Sequence, residues 1–110
     1  MPASFEDFQN LNLRVGRVTS VRLNEKARVP ALVLEIDFGP EGTRISSAQL
    51  TQNYDEKSLL DRQVVCVMGF EPKRVAGVKS EVLVLGVIHP ERGTLLLQVD
   101  GEVPDGEPVA

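Results

Sequence analysis

Apolar and polar residues alternate along most of this chain, and the slips in that alternation say as much as its regular stretches. Between Leu13 and Leu23 the apolar positions are 13, 15, 18, 21 and 23, so the period of two slips near Gly16 and again before Val21. A long first strand with a bulge accounts for this, Gly16 supplying the unusual backbone angles and the bend by which a small barrel closes its sheet. Leu32, Leu34, Ile36 and Phe38 alternate after Pro30 and predict a second strand. Gly39-Pro40-Glu41-Gly42 is turn chemistry and leads to a third strand over 43–48. Gln63 to Met68 reads as a continuous apolar strand, Val82 to Leu85 as a further buried strand, and Thr94 to Val99 as one more after the turn Pro90-Glu91-Arg92-Gly93.

Two helical patterns interrupt the strands. Ser4 precedes Phe5-Glu6-Asp7-Phe8, a cap followed by acids in the first turn, and predicts a helix over 4–11 with Phe5 and Phe8 on one face. A helix of about two turns does not persist alone in water, so it packs on its own domain or on a second subunit. Leu50 to Leu60 places Tyr54, Asp55, Glu56 and Leu59 at spacings that suit a short helix. Three strands, a helix and then two strands, with a bent first strand, is the order of the OB-fold, a five-stranded Greek-key barrel. An SH3-like barrel is the nearest competitor and lacks the helix. The expected organisation is one domain over 1–110, all-β with short helices: an N-terminal helix at 4–11, a barrel core at 12–99 and a C-terminal extension at 100–110. The strand at 94–99 exceeds the minimal fold and, with the extension, is available to a partner subunit.

Composition narrows the class. The chain has 110 residues and is 42% hydrophobic, enough for one core without disulfides or metal. Its apolar runs are far too short to span a bilayer, so no membrane insertion and a cytoplasmic location are expected. Cys66, the one cysteine, lies inside an apolar run and reads as a core residue. Net charge is −4, which argues against a polyanionic partner until its distribution is considered. Four of the 16 acids (Asp100, Glu102, Asp105, Glu107) lie in the last eleven residues, leaving 12 against the 12 basic ones. The body is mildly basic and the tail acidic, which suits either a solvated face or a binding surface.

Catalysis finds little support. The one histidine, His89, sits beside Pro90 in a predicted turn with no evident nucleophile to serve. One His and one Cys do not make a transition-metal site, and there is no phosphate loop or dinucleotide fingerprint, so no cofactor and no metal are expected. Base stacking on aromatic residues is also thinly provided for: Phe38 alternates with core positions, Phe5 and Phe8 suit the helix, and only Tyr54 and Phe70 remain.

The densest chemistry lies in Phe70 to Gly86, where Pro72, Lys73, Arg74, Gly77 and Lys79 form a charged loop leading into the apolar run. With Arg44 these cations line a candidate groove whose hydrogen-bonding groups are Ser46, Ser47, Gln49 and Ser80 and whose apolar contacts are Phe70 and Val78. Ser46 and Ser47 equally suit the solvent face of a strand, and Gly77 and Ser80 the fixing of a loop. Arg14, Arg17, Lys26 and Arg28 are a secondary basic set. Arg14 and Arg17 flank Gly16, where Glu35 or Asp37 could partner them within the chain.

These segments resemble a known family. Leu13-Arg14-Val15-Gly16-Arg17-Val18 looks like the opening of the tRNA-binding domains found at the C-terminus of bacterial methionyl-tRNA synthetases, and Pro72 to Ser80 looks like their P-x-[KR]-x-x-G-x-x-S signature. Ser46-Ser47-Ala48-Gln49 and Ser80-Glu81-Val82-Leu83-Val84-Leu85-Gly86 are similar to segments of the CsaA branch of that family, the bacterial secretion chaperones, as are Ala27 to Ala31 and Ile36 to Gly39. The resemblance implies an OB-fold homodimer with Phe5, Phe8, Leu11 and the C-terminal segment in its interface. It implies a surface for unfolded or precursor polypeptides, with tRNA as the alternative ligand of the same basic groove. Gly69 stands where the branch usually has Asn and Ile45 where it usually has Gln, so polar contacts of relatives at these two positions do not transfer.

Overall fold

Five strands curl into one antiparallel sheet in the order β3-β2-β1-β4-β7, in the computed structural model, which describes residues 1–110. The strands are β1 (Leu13–Asn24), β2 (Ala31–Asp37), β3 (Thr43–Ala48), β4 (Gln63–Val67) and β7 (Leu83–Val84). Two hairpins are added, β5 (Lys73–Val75) with β6 (Val78–Ser80) and β8 (Gly86–His89) with β9 (Gly93–Leu96). Helix α1 (Phe5–Leu11) precedes β1, and the short α2 (Glu56–Leu59) joins β3 to β4, the position that distinguishes an OB-like barrel from an SH3-like one. Both helices start with reciprocal caps: Asp7 N–H donates to Ser4 Oγ at 3.1 Å and Ser4 N–H to Asp7 Oδ2 at 2.8 Å, and Asp55 and Ser58 repeat the arrangement in α2.

The core lies inside the curl. Val18, Val21, Leu32, Leu34, Ile36, Phe38, Leu50, Leu59, Val64, Cys66 and Val82 pack together there. Each large aliphatic side chain so buried contributes roughly 1.5–3 kcal/mol. Burial pushes the Cys66 thiol up to about 12, in keeping with a core role.

The first strand is bulged at the second of the two slips, before Val21, and not at Gly16. The β1–β2 register shifts between Val18 and Ser20, so Thr19 is the extra residue, and its hydroxyl donates to Glu35 O at 3.2 Å. Gly16 sits in regular pairing opposite Val64. Its missing side chain serves packing: a Cβ there would lie 2.5 Å from Ile36 Cγ2 and 2.6 Å from Phe38 Cε1. The run at 82–85 is also not a uniformly buried strand, since Val82 is buried and Leu83 is 48% exposed. The last strand begins and ends earlier than 94–99, because Gln52 and Asn53 side chains hold the β8–β9 turn through Glu91 O, Arg92 O and Thr94 O.

The seam between β3 and β7 closes differently from the rest. Glu81 holds Ile45 twice, its N–H donating to Ile45 O at 2.7 Å and its Oε1 accepting from Ile45 N–H at 3.1 Å. Next to it, Ser80 Oγ accepts from Ser47 N–H at 3.0 Å. Side chains stand here where a neighbouring strand's carbonyls would.

The acidic extension folds back on its own barrel. Gly106 N–H donates to Val15 O at 2.7 Å, Val15 N–H to Glu107 O at 2.9 Å and Val109 N–H to Leu13 O at 2.9 Å, so the tail runs beside the first half of β1. Gln63 holds Val103 and Asp105, its Nε2 donating to Val103 O at 2.6 Å and to Asp105 Oδ1 at 2.9 Å.

Candidate ligand-binding groove

The β5–β6 hairpin determines the geometry of the site. Lys73 pairs with Ser80, Arg74 with Lys79 and Val75 with Val78. Cross-strand partners share a face and successive residues alternate, so Lys73, Val75, Val78 and Ser80 point one way and Arg74 and Lys79 the other. The turn Ala76-Gly77 has φ of 46° and 83°, the left-handed pair that a two-residue hairpin needs. Ser80 fastens the hairpin's first face to β3 through Ser47.

Two adjoining cavities flank this fastening. One, of about 390 Å³, is lined by Phe70, Glu71, Lys73, Val75, Val82 and Leu83 together with Ser47, Ser80 and Glu81. The other, of about 460 Å³, shares Ser47, Lys73, Val75 and Leu83 and extends along Ser46, Gln49, Leu85 and Ile88. Together they form a groove with an apolar floor, hydroxyl groups along one wall and a single lysine at its centre, with Glu71 and Glu81 toward one end. Ser47 Oγ is enclosed and has no hydrogen-bond partner.

The residues named from sequence therefore separate into groups. Ser46, Ser47, Gln49, Phe70, Lys73 and Ser80 meet in the groove. Arg74 and Lys79 lie on the hairpin's outer face, and Val78 lines a different cleft at the hairpin tip, beside Lys26. Arg44 folds back onto its own turn, Nη1 donating to Thr43 O at 3.1 Å. Arg28 is exposed in the β1–β2 loop. Arg14 and Arg17 belong to the tail: Arg14 Nη1 donates to Gly106 O at 2.8 Å, and Arg17 meets Glu102 at 2.6 Å and Asp105 at 3.3 Å. The hydrogen bond to Glu102 is the main reason the Arg17 pKa is raised. Neither pairs with Glu35 or Asp37: Arg14 also donates to Asn12 Oδ1 at 2.9 Å and lies 3.9 Å from Glu41, and Arg17 Nη1 donates to Asp61 O at 2.6 Å.

Val75, Glu71, Glu81, Val82 and Leu83 line the groove without having been singled out. Alternation within 73–75 carried the signal for Val75; nothing local signalled that Glu81 would close a seam with a residue far away in sequence. Tyr54 is withdrawn from stacking, because its hydroxyl accepts from Leu96 N–H at 2.9 Å and Arg62 lies over its ring at 5.2 Å. His89 is used in its own turn, Nδ1 accepting from Glu91 and Arg92 N–H at 3.2 and 3.1 Å. Gly69 has a packing reason, since a Cβ there would run into the Asn10 carbonyl where α1 docks, and its N–H donates to Leu11 O at 2.8 Å. Ile45 joins the seam through its main chain, so that clasp makes no demand on its side chain.

Residues 13–108 match the family model described as "Putative tRNA binding domain". The chaperone CsaA from Bacillus anthracis str. Ames is 49% identical, with TM-score 0.93 and all of both chains covered. The CsaA chaperone protein from Picrophilus torridus is 39% identical, with TM-score 0.91, covering 99% of this chain and 100% of that one. Methionine–tRNA ligase of Pyrococcus abyssi is 37% identical over 109 residues, where the chain spans 15% of that enzyme's length. Two of the structures it resembles over its whole length are CsaA chaperones, and the protein belongs to the tRNA-binding domain family.

Proposed function

We propose that this protein is a non-enzymatic, CsaA-like chaperone that holds unfolded or precursor polypeptides in the cytoplasm for export. The observation that carries this reading is the groove: an apolar floor of Val75, Val82 and Leu83 beside exposed Phe70, with polar groups at its rim. Such a surface accepts apolar side chains of an extended segment while Lys73 and the serine hydroxyls meet its main-chain carbonyls. Full-length likeness to two CsaA structures supports it. The working unit is a homodimer. Phe5 and Phe8 stack at 6.3 Å with Phe5 73% exposed, and they line one cleft with Pro108 and Val109, so both expected interface elements meet on one surface.

The test is suppression of aggregation. Purified protein at micromolar concentration, without ATP, lowers light scattering from a thermally unfolded client, and a photo-crosslinker at position 83 captures that client. No binding to any unfolded client overturns the reading.

A second reading, structure-selective tRNA binding, is favoured by one specific observation. Arg74 and Lys79 stand opposite each other on the hairpin's outer face, a like-charge pair that destabilises a bare hairpin and suits a phosphate backbone. A salt titration with tRNA decides it: several phosphate contacts require affinity to fall steeply with salt.

A further inference from the structure

The β5–β6 hairpin borders a second cleft, lined by residues other than those of the groove. It lies between the end of β1 and the hairpin tip, has a volume of about 570 Å³, and is lined by Arg22, Asn24, Glu25, Lys26, Gly77 and Val78, with Leu23 and Ala76 completing its walls. Asn24 is the unusual member. It ends a strand in an exposed loop region and yet is only 5% exposed. Its Oδ1 already accepts from Lys26 N–H at 3.2 Å, which fixes the amide orientation, and its Nδ2 is buried without a partner.

We infer that this cleft is a binding site for a phosphate group, with the Asn24 side-chain amide as its anchoring donor and Lys26 and Arg22 as its cations. A buried donor with no acceptor is an uncompensated desolvation cost, which an anionic oxygen offsets well. The acceptor of Asn24 is taken, so the amide offers only N–H, and Lys26 and Arg22 carry donors alone. Two cations against one acid leave the cleft net positive. Lys26 lies across the hairpin tip: a Cβ at Gly77, whose φ is +83°, would sit 3.5 Å from its Cδ and 3.9 Å from its Nζ. The Lys26 side chain thus lies against the loop that closes the cleft. Donors arriving from three separate side chains match the several oxygens of a tetrahedral anion better than the two of a planar carboxylate. No aromatic residue lines the cleft, so a base gains no stacking there and the phosphate itself is what is recognised. The groove is lined by other residues, so this inference does not depend on the polypeptide reading.

The experiment follows the side-chain amide of Asn24 by ¹⁵N-edited NMR while the full chain is titrated with inorganic phosphate, with a short single-stranded oligoribonucleotide, and with an apolar peptide. Both phosphate-bearing probes shift the Asn24 side-chain amide and the Gly77 main-chain amide; the peptide shifts Phe70 and Val75 and leaves Asn24 in place. Asn24→Asp weakens phosphate binding by about tenfold or more, because it removes the amide donor and sets a carboxylate against the anion. The exposed Lys26→Gln weakens it by about threefold without a folding risk. An oligoribonucleotide that binds at least about tenfold more tightly than inorganic phosphate identifies a nucleic-acid backbone as the source, through its repeated charges; equal affinities identify a free phosphate. If neither probe moves the Asn24 amide, or if Lys26→Gln binds phosphate as the unsubstituted protein does, the inference is overturned, whatever the peptide does.

Discussion

Arg74 and Lys79 are direct cross-strand neighbours in the β5–β6 hairpin, two positive charges on one face, while Lys73 and Ser80 beside them face the groove. One residue of register thus divides the basic signature between two surfaces.

That division predicts separable effects. Arg74→Thr removes a like-charge pair and raises stability by about 0.2–1 kcal/mol in chemical denaturation. The same substitution weakens tRNA binding and flattens its salt dependence, while client holding is unchanged. Loss of client holding in Arg74→Thr would show that the two faces act as one.

Leu83→Asp places a charge on the half-exposed groove wall. Aggregation suppression falls several-fold, and the unfolding midpoint moves little because Leu83 lies outside the buried core. Light scattering and a urea titration on one preparation separate the two effects.

Phe5→Ser with Phe8→Ser removes an exposed stacked pair. Sedimentation shows the proposed dimer replaced by monomers, with circular dichroism unchanged because α1 has no buried residue. An unchanged dimer places the interface elsewhere.

Gly16→Ala costs about 1–3 kcal/mol, the range for overpacking a filled core. The methyl would have to displace Ile36 and Phe38, both fully buried. A loss below about 0.5 kcal/mol would mean that those side chains reorganise freely.

Cys66 gives the chain an alkaline limit. Its thiol ionises near 9.0 when unfolded and at about 12 in the core, because burial disfavours the thiolate. The folded state therefore holds the proton more tightly, and stability present below pH 9.0 declines as pH rises toward 12. Cys66→Ala removes that part of the slope in denaturation curves measured from pH 8 to pH 11. An unaltered slope assigns it to other groups.

Much of this was legible in the sequence because it is local. Alternation located β2, the turn Gly39-Pro40-Glu41-Gly42 located β3, Ser4 and the acids after it located α1, and the short helix between β3 and β4 selected the fold class. The bulge was sensed and assigned to Gly16, because a glycine in a slipping pattern suggests bulge chemistry equally well when the true cause is an aromatic ring lying against it. The groove was half legible. Ser46, Ser47, Phe70 and Lys73 were found as residue types, but which cations share a face depended on the hairpin's exact turn, Ala76-Gly77. The acids of Arg17, Glu102 and Asp105, are more than eighty residues away, so no local pattern pointed to them over Glu35 or Asp37. Asn24 gave no signal at all, since a polar residue beside a loop becomes unusual only once it is found buried.

The seam at Glu81 has a consequence for range of choice. Four strands of the barrel are joined by ladders, but β7 is joined to β4 by two residue pairs, and the β3 side is closed by Glu81 on Ile45 and Ser80 on Ser47. The wall that carries Leu83 is consequently held by fewer main-chain pairs than the rest of the barrel. A binding surface that yields on one side admits side chains of different bulk without a pocket shaped for any of them. In the proposed chaperone, tolerance for many sequences would come from how lightly that wall is fastened, and further pairing across the seam would narrow it.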